Sequence, residues 1–507
     1  MSTLIPRKPY TDDELRQLYP DGLKLQLVQI LMRHGERTPV SARFQNAGLK
    51  PFWTYCAAAR QMKSAILDHG GERGDAPFTT LEWRRRLETF GENDEPVIAA
   101  GPQGQVDDIC DMGSLTDLGR QSTYKLGLRL RDLYVNRLKF LPSTINSTNF
   151  LYLRSTPIPR TLESLQQAFT ALYPPSKREP GDDGKFPTPT ILTRVPGDET
   201  LFPNDSNCRR FAQLSRAFAQ RAADRWNTSS DMEYLNKLYG KWMPSEKPRV
   251  AVDSRPRLSG IMDSINCTLA HGPETKLPFE FYDKKGLEII EKIGAEEWFA
   301  GYKESLEYRT LGIGGLMGDI VGRMVTSAEG NSKSRVTFGL SGCHDTTLAA
   351  VLSSLGAFEN NKWPPFTSHI AIEMFHKTPT GATTPSLEAT EAVTAGPKAN
   401  WWNGLFVTSS AATATSEIGR KSTTELTPVE KRQLDGYYVR LRYNDEPVTI
   451  PGCRTPGNHL DGDESFCTLA AFKEIVDKFT PRDWKDQCLV KDGTPAISIG
   501  KPEWSGR

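Results

Sequence analysis

The stretch Arg33-His34-Gly35-Glu36-Arg37-Thr38-Pro39 directly follows an apolar run, Leu25 to Leu31. Aliphatic and β-branched residues in such a run predict a buried strand. Ligands of open α/β sheets bind in the crevice beyond the carboxyl ends of the strands. Two guanidinium groups there suit a phosphate, and a neutral imidazole between them suits attack on phosphorus. Taken alone, the stretch is equally compatible with a surface histidine between solvated arginines.

Two further segments predict strands that end in side chains of the same kinds. Arg335–Cys343 precedes His344 and Asp345, and apolar residues at helical spacing follow the pair. Phe150–Leu153 precedes Arg154 in the same way. This alternation of strand and helix predicts an α/β fold. Its strand ends would gather three arginines, two histidines and one carboxylate.

Three blocks resemble the signature of the histidine acid phosphatases, the larger branch of the histidine phosphatase superfamily: RHGERTP at 33–39, FLYLRST at 150–156 and GCHD at 342–345. Other blocks between Leu23 and Cys453 look most like the lysophosphatidic acid phosphatase subgroup. The resemblance implies a phosphoglycerate-mutase-like α/β sheet domain with helices on both faces and an inserted α-helical cap. Glu36 departs from the family pattern, where several relatives carry a small residue or an aspartate, and it adds negative charge near the phosphate loop.

The resemblance also implies a catalytic role for each matching residue. His34 matches the nucleophile that becomes a phosphohistidine, and Asp345 matches the proton donor to the leaving alkoxide. The positions that match the phosphate pocket are Arg33, Arg37, Arg154 and His344. No metal or other cofactor is implied, since the arginines supply the positive charge. On position alone, Asp345 would also suit a helix N-cap, and Arg160 is interpreted as structural.

The predicted function is hydrolysis of a small-molecule phosphate monoester, without a metal and through a phosphohistidine. The subgroup points to a lysophospholipid such as lysophosphatidic acid. The alternatives are a phytase-like or general acid phosphatase, a phosphomutase-like enzyme, and a non-catalytic phospholipid-binding protein. A binding protein would be favoured by loss of His34 or Asp345, and both are present. The mutases typically use a glutamate as the acid, and a phytase would prefer a more basic cap than this one.

Composition narrows the partners and the location. In 507 residues, 63 basic side chains nearly balance 62 acidic ones, so no nucleic-acid partner is predicted. The apolar runs are too short for a transmembrane segment. The N-terminal residues resemble neither a signal peptide nor a transit peptide, so a cytoplasmic location is expected, with a mitochondrial or secreted one left open. In the cytoplasm Cys453 and Cys467 are expected to be free thiols, although their spacing in the sequence allows a disulfide.

The chain is predicted to divide into a discontinuous core and two insertions. Residues 23–173 and 335–480 would form the α/β core, and 174–334 a mainly α-helical cap. Residues 378–427 are rich in Thr, Ala, Ser, Pro and Gly, which predicts a flexible insert within a hairpin. Inside it, Trp401 to Phe406 would dock on the domain surface or contact a membrane surface. The oligomeric state is not predicted.

Overall fold

The fold is described from a computed structural model. The residues that it describes are 3–5, 7–68, 78–181, 184–244, 248–330, 336–358, 362–378, 417–490, 495 and 502–507. The strands are β1 (Leu23–Arg33), β2 (Met62–Leu67), β3 (Phe78–Trp83), β4 (Glu88–Phe90), β5 (Pro96–Ile98), β6 (Leu151–Ser155), β7 (Ile191–Leu192), β8 (Phe338–Cys343), β9 (His369–Lys377), β10 (Tyr437–Tyr443), β11 (Glu446–Val448), β12 (His459–Leu460) and β13 (Asp463–Thr468). The α-helices are α1 (Asp12–Leu18), α2 (Asp117–Leu130), α3 (Pro159–Leu172), α4 (Arg209–Trp226), α5 (Ser230–Tyr239), α6 (Leu258–Ala270), α7 (Lys284–Glu304), α8 (Leu306–Arg309), α9 (Gly315–Ala328), α10 (Asp345–Ser354), α11 (Glu417–Arg420), α12 (Pro428–Arg432), α13 (Leu469–Asp477) and α14 (Trp484–Gln487).

Nine strands form one mixed sheet in the order β12-β13-β10-β9-β1-β8-β6-β7, with β11 paired to β10. Strands β1, β8, β6 and β7 are parallel to one another, and β9 runs antiparallel to β1. Arg33 lies opposite Cys343, and Arg154 lies opposite Ser341. The carboxyl ends of the three central parallel strands therefore meet at one edge of the sheet. The α/β fold predicted from the sequence is confirmed.

Helices cover both faces of the sheet, which explains the nearly continuous apolar sequence of β1. Val28, Ile30 and Met32 project to one face and join a core that includes side chains of α2 and α3. Leu27 and Leu31 project to the other face and join a larger core with side chains of α7, α9 and α10. The sheet is thus held between two apolar layers, and its strand ends are fixed in position.

The regions predicted as a cap and as an insert are described only in part. Between β7 and β8 the described residues contain helices α4 to α9, with a π-helical segment, Thr310–Gly314, between α8 and α9. The division into core and cap domains stays a prediction. Most of the predicted insert, with Trp401 to Phe406, lies outside the described residues. In its described part, Ile418 and Leu426 are buried in the larger core.

Three disulfides link Cys56 to Cys110, Cys208 to Cys488, and Cys453 to Cys467. The expectation of free thiols at Cys453 and Cys467 was therefore wrong. It depended on the cytoplasmic location inferred from the N-terminus. In the structure, β13 and the turn at Cys453 bring the two Cα atoms to 5.2 Å, a distance that a disulfide spans. Within the described part of the chain, no helix has the length and hydrophobicity needed to cross a membrane.

Candidate active site

The loop after β1 begins the site, and Gly35 lets it lie against two helices. A Cβ atom at Gly35 would lie 2.3 Å from the carbonyl oxygen of Gly119 in α2. The Gly35 amide donates to Ser164 Oγ of α3 at 3.1 Å, and the amide of Thr116, the N-cap of α2, donates to the Glu36 carbonyl at 3.0 Å. Any side chain at Gly35 would push the loop off both helices.

His34 is held as one neutral tautomer. Its Nδ1 lies 2.9 Å from the Gly35 carbonyl oxygen. Because a carbonyl oxygen only accepts, Nδ1 carries the proton and Nε2 keeps a free lone pair. Burial lowers the pKa of His34 well below its usual value, and the guanidinium groups nearest to it, Arg160, Arg33 and Arg37, lower that pKa further. The imidazole is therefore neutral at neutral and mildly acidic pH, with the lone pair of Nε2 free.

Arg33, the last residue of β1, is fixed from three sides. Its Nη1 donates to the Pro364 carbonyl at 2.5 Å, and its Nη2 lies 2.7 Å from Asp345 Oδ2. The guanidinium also stacks over the Phe366 ring, 4.1 Å from the ring centre. Its buried Nε has no hydrogen-bond partner among the described residues.

Arg37 is held by a carboxylate from a distant helix. Its Nη2 lies 2.8 Å from Asp263 Oδ1 in α6, and its Nη1 donates to the Thr38 carbonyl at 3.0 Å. Burial opposes the charge of Arg37, but Asp263 outweighs that cost and the pKa of Arg37 is raised. The Nε of Arg37 is also buried without a partner in the described structure.

Arg154 and Arg160 lie near the end of β6 and differ in their partners and in their electrostatic effect. Arg154 is buried in an ion pair with Glu199 at 2.5 Å, it also donates to Thr200 Oγ1, and its Nε and Nη1 are buried without partners among the described residues. Arg160, the second residue of α3, is the charged group that most lowers the pKa of both His34 and His344, and its own buried Nε is unpartnered among the described residues. The sequence-based interpretation of Arg160 as structural did not include this electrostatic effect.

His344 and Asp345 lie at the start of α10. His344 is the N-cap and Asp345 the first helical residue, so the N-cap interpretation of Asp345 was wrong by one position. The rings of His34 and His344 meet edge to face, with centres 5.6 Å apart. His344 Nε2 lies 3.2 Å from Thr156 Oγ1, and burial together with Arg160 lowers the pKa of His344 to about 3.

Asp345 is ionised in the free protein. Its Oδ2 pairs with Arg33 and accepts from Trp363 Nε1 at 3.0 Å, while its Oδ1 accepts from the Thr346 amide at 2.8 Å. Burial raises the pKa of Asp345, but Arg33 and the Trp363 hydrogen bond outweigh it, so that this pKa lies below its usual value. The carboxylate is thus held in a fixed position beside Arg33.

Glu36 does not face the cavity. Its carboxyl is fully buried, and Oε2 accepts from Ser122 Oγ of α2 at 2.5 Å. Burial raises the pKa of Glu36, which weakens the negative charge expected near the phosphate loop. Glu36 thus connects the loop after β1 to helix α2.

Arg33, Arg37 and Asp345 line a cavity of about 290 Å³. Its other walls include Asp263 and Gly260 of α6 together with Trp363 and Phe366. Four guanidinium groups line the cavity, those of Arg33, Arg37, Arg43 and Arg257, and they face the carboxylates of Asp263 and Asp345. The site therefore carries excess positive charge, and the buried Nε atoms of Arg33 and Arg37 are unused N–H donors, as an anion requires. Among the described residues, no group of three or more His, Cys, Asp or Glu could hold a metal ion.

The fold and the site define an α/β protein with a positively charged cavity at the carboxyl ends of its parallel strands. The model of the histidine phosphatase superfamily, branch 2, matches residues 24–387, and the chain belongs to that family. It is a phosphatase that hydrolyses phosphate monoesters, which confirms the activity predicted from the sequence.

Named relatives agree with this membership. The protein "Probable acid phosphatase" of Schizosaccharomyces pombe is 35% identical over 472 residues, 93% of this chain and 95% of its own. Human "Lysophosphatidic acid phosphatase type 6" is 25% identical over 361 residues, 70% of this chain and 74% of its own. A crystal structure of the Bifidobacterium longum multiple inositol polyphosphate phosphatase with inositol hexasulfate has a TM-score of 0.51 at 12% identity, covering 94% of this chain and 97% of that chain. The last similarity shows the fold alone.

Proposed function

We propose that the protein hydrolyses phosphate monoesters with His34 as the nucleophile and Asp345 as the general acid. The observation that carries this proposal is the hydrogen bond from His34 Nδ1 to the Gly35 carbonyl, which leaves Nε2 unprotonated next to three guanidinium groups. A neutral imidazole with a fixed tautomer is a competent nucleophile, and the arginines stabilise the charge on the equatorial oxygens of the transferring phosphoryl group.

The reaction would proceed in two displacements. His34 Nε2 forms a bond to phosphorus as the bond to the ester oxygen breaks, and Asp345 gives its proton to that oxygen. The phosphoryl group is then carried on His34. Water attacks it, Asp345 takes the proton of the water, and inorganic phosphate leaves with His34 restored.

The phosphate group would itself prepare Asp345 for proton donation. In the free protein, Arg33 keeps the pKa of Asp345 low. A bound phosphate dianion competes for Arg33 and adds negative charge beside the carboxylate, and both effects raise the pKa of Asp345. Protonated Asp345 is still more abundant in acid, so we expect an acidic optimum of the rate. A pH–rate profile that keeps rising past neutrality would contradict it.

We further propose Arg160, in place of Arg154, as the third phosphate-binding arginine, together with Arg33, Arg37 and His344. The observation that supports Arg160 is its electrostatic effect on both imidazoles. Unused donors do not separate the two arginines, because Arg160 Nε and both Nε and Nη1 of Arg154 are buried without partners among the described residues. Arg154, in contrast, already pairs with the buried Glu199.

The decisive experiment measures release of inorganic phosphate in the presence of a chelator, using wild type, His34→Ala and Asp345→Asn. We expect release to persist with the chelator and to vanish in His34→Ala. Asp345→Asn should slow hydrolysis of an alkyl phosphate far more than that of an aryl phosphate, because a good leaving group needs little protonation. Equal losses on both esters would remove Asp345 from the acid role.

Lysophosphatidic acid is a candidate substrate. The resemblance of the sequence blocks to that subgroup supports it, and so does the name of the human relative at 25% identity. Side-by-side assays of lysophosphatidic acid, glycerol 3-phosphate and inositol hexakisphosphate would rank the three classes of leaving group. A preference for the inositol ester would favour the phytase-like alternative.

We also propose an oxidising compartment for this protein instead of the cytoplasmic location expected from the N-terminus. The three cysteine pairs support this proposal, because disulfides persist in oxidising surroundings and are rare in the cytosol. Mass spectrometry of protein isolated from its own cells with the thiols blocked should find only Cys267 and Cys343 modified. Modification of all eight cysteines would restore the cytoplasmic interpretation.

A further inference from the structure

We propose that an aromatic chamber receives the leaving group of the substrate, and that the enzyme therefore prefers monoesters of alcohols with an extended apolar body. The chamber lies beside the phosphate cavity, which is the cavity lined by Arg33, Arg37 and Asp345. The inference depends on the proposed function, since it takes Asp345 as the group that protonates the leaving oxygen. It adds a second binding site, which decides which alcohols are accepted.

The position of this chamber follows from the proton donor. The chamber has a volume of about 360 Å³, and Arg257, Trp298 and Thr346 line both it and the phosphate cavity. Thr346 directly follows Asp345 in α10. The ester oxygen must lie within hydrogen-bond reach of Asp345 during bond cleavage. The carbon skeleton attached to that oxygen is therefore directed past Thr346, towards the chamber.

The walls of the chamber are apolar and aromatic. Phe211 and Tyr302 both pack against Tyr308, with ring centres 4.8 and 4.7 Å away, and all three side chains are buried. Helix α4 contributes a strip of small residues at helical spacing, which includes Ala212 and Ala219. Such a surface gains from contact with methylene groups. Its walls also hold two buried polar atoms without partners among the described residues, Tyr302 Oη and Glu297 Oε2.

The charges of the chamber argue against a highly phosphorylated leaving group. Its lining contains two arginines and two acids, so it carries no excess of positive charge. One of those arginines, Arg257, already donates to Glu297 Oε1 at 2.5 Å. A leaving group with several phosphates would meet no surplus cation there, unlike in the phosphate cavity.

Two tryptophans connect the chamber to the proton donor. Trp298 is 40% exposed, and its ring meets that of Trp363 edge to face, with centres 6.1 Å apart. Trp363 in turn donates to Asp345 Oδ2 at 3.0 Å. An apolar chain that enters the chamber would contact Trp298, and it would exclude water from the side of Asp345 where the leaving oxygen is protonated.

The test compares kcat/KM for ethyl, butyl and octyl phosphate, each below the concentration at which it self-associates. Burial of a methylene corresponds to about fourfold in an equilibrium constant, so for wild type we expect octyl phosphate to exceed ethyl phosphate by at least ~30-fold. Ala219→Phe fills the chamber and should reduce that ratio by about tenfold or more. The matched control, Gln220→Phe, places the same ring on an exposed position of α4 and should leave the ratio unchanged.

Each result bears on one proposal. Hydrolysis of all three esters at equal kcat/KM by wild type would overturn the chamber and leave the phosphatase chemistry intact. Loss of the octyl preference in Gln220→Phe as strongly as in Ala219→Phe would overturn it as well. If Ala219→Phe does not fold, Trp298→Ala decides, because it removes a partly exposed wall and should lower the octyl-to-ethyl ratio. Undiminished hydrolysis in His34→Ala would instead contradict the proposed function itself.

Discussion

Two of the places where the molecule buries arginines differ in whether they can accept an anion. In the sheet cluster, Arg440 and Arg442 project from β10 towards Glu373 of β9, which also accepts from the hydroxyl groups of Tyr19 and Tyr134. In the catalytic cluster, three arginines share two carboxylates at the strand ends: Arg33, Arg37 and Arg160 with Asp263 and Asp345. Both clusters are made of the same side chains, and they differ in how their hydrogen bonds are used.

In the sheet cluster the donors are used up. Glu373 Oε2 accepts from Nε and Nη2 of Arg440 at 3.1 and 2.8 Å and from Nε of Arg442 at 3.2 Å. Neither arginine has a buried nitrogen without a partner among the described residues. Each arginine of the catalytic cluster, in contrast, keeps an unpartnered buried Nε. Unused donors therefore distinguish these two clusters, but they do not identify a binding site by themselves, because Arg154 beside Glu199 also keeps two buried nitrogens without partners among the described residues.

The largest difference between the two clusters should be the loss of stability caused by Glu373→Gln. The substitution leaves Arg440 without a counterion and Arg442 with only the contact to Asp445 Oδ1 at 3.8 Å, and breaking a buried pair in this way costs about 3–5 kcal/mol. We expect urea unfolding to show that loss while the folded variant keeps wild-type kcat. Glu82→Gln, which removes the exposed partner of Lys63, should leave the unfolding curve unchanged. A similar loss in both variants would show that burial is not the cause.

The carboxylate of Glu373 should also contribute to the loss of stability at low pH. Burial raises the pKa of Glu373, but Arg442 and Arg440 outweigh it and lower the pKa from 4.5 to about 2. A folded pKa below the unfolded value gives stability that is fully present above about pH 4.5 and is lost as the pH falls towards 2. The shift corresponds to about 3 kcal/mol. Unfolding free energies measured from pH 6 to 2 should fall less steeply for Glu373→Gln than for wild type.

In the catalytic cluster, Arg160→Ala should cost activity and not stability. Loss of one preorganised donor to a transition-state oxyanion typically lowers kcat by about 10²–10³-fold. Arg154→Met should do the opposite, because it leaves Glu199 buried without its partner. Its melting temperature should fall while kcat/KM of the folded protein stays near that of wild type. If Arg154→Met loses activity as Arg160→Ala does, the assignment of the third arginine must be reversed.

The sequence predicted the strand ends that carry the catalytic cluster, because local patterns encode them. Apolar runs before Arg33, Arg154 and His344 identified three buried strands, and parallel pairing brings their carboxyl ends to one edge. The direction of a side chain at a strand end is not encoded in the same way. Alternate residues project to opposite faces, and Arg154 points to Glu199. The signal for Arg160 was Pro159 at the first position of α3, since a helix that starts at this edge aims its first turn at a bound anion.

Individual side-chain contacts between segments that lie far apart in the chain could not be predicted, although the pairing of the two strands that flank residues 378–427 was. Asp263 reaches Arg37 from α6, and Glu373 meets Arg440 from the next strand of the sheet across the long insert. No local periodicity indicates either pair. The disulfide between Cys208 and Cys488 is of the same kind, with a sequence separation of 280 residues. These contacts follow from the fold and are visible only in the structure.

Inorganic phosphate should stabilise the protein through the catalytic cluster alone. A ligand that binds only the folded state at 100 times its Kd adds about 2.7 kcal/mol to the free energy of unfolding. We expect phosphate to raise the melting temperature of wild type and Glu373→Gln by comparable amounts. Arg37→Ala should lose most of that shift, since it removes a guanidinium group that lines the cavity. An equal shift in Arg37→Ala would place the phosphate elsewhere.

The smallest effect on activity should come from Asp263→Asn. It tests whether Asp263 limits the excess positive charge of the catalytic cluster. Asp263 screens Arg37 through the contact at 2.8 Å, and its Oδ2 accepts from the Val40 amide at 3.0 Å. An amide of the same shape removes the negative charge but can keep the backbone contact. Phosphate should then bind several-fold more tightly as a competitive inhibitor, while kcat falls because product leaves more slowly and Arg37 is less firmly held. Weaker inhibition by phosphate would mean that Asp263 acts mainly by positioning Arg37, so that its geometry matters more to this site than its charge.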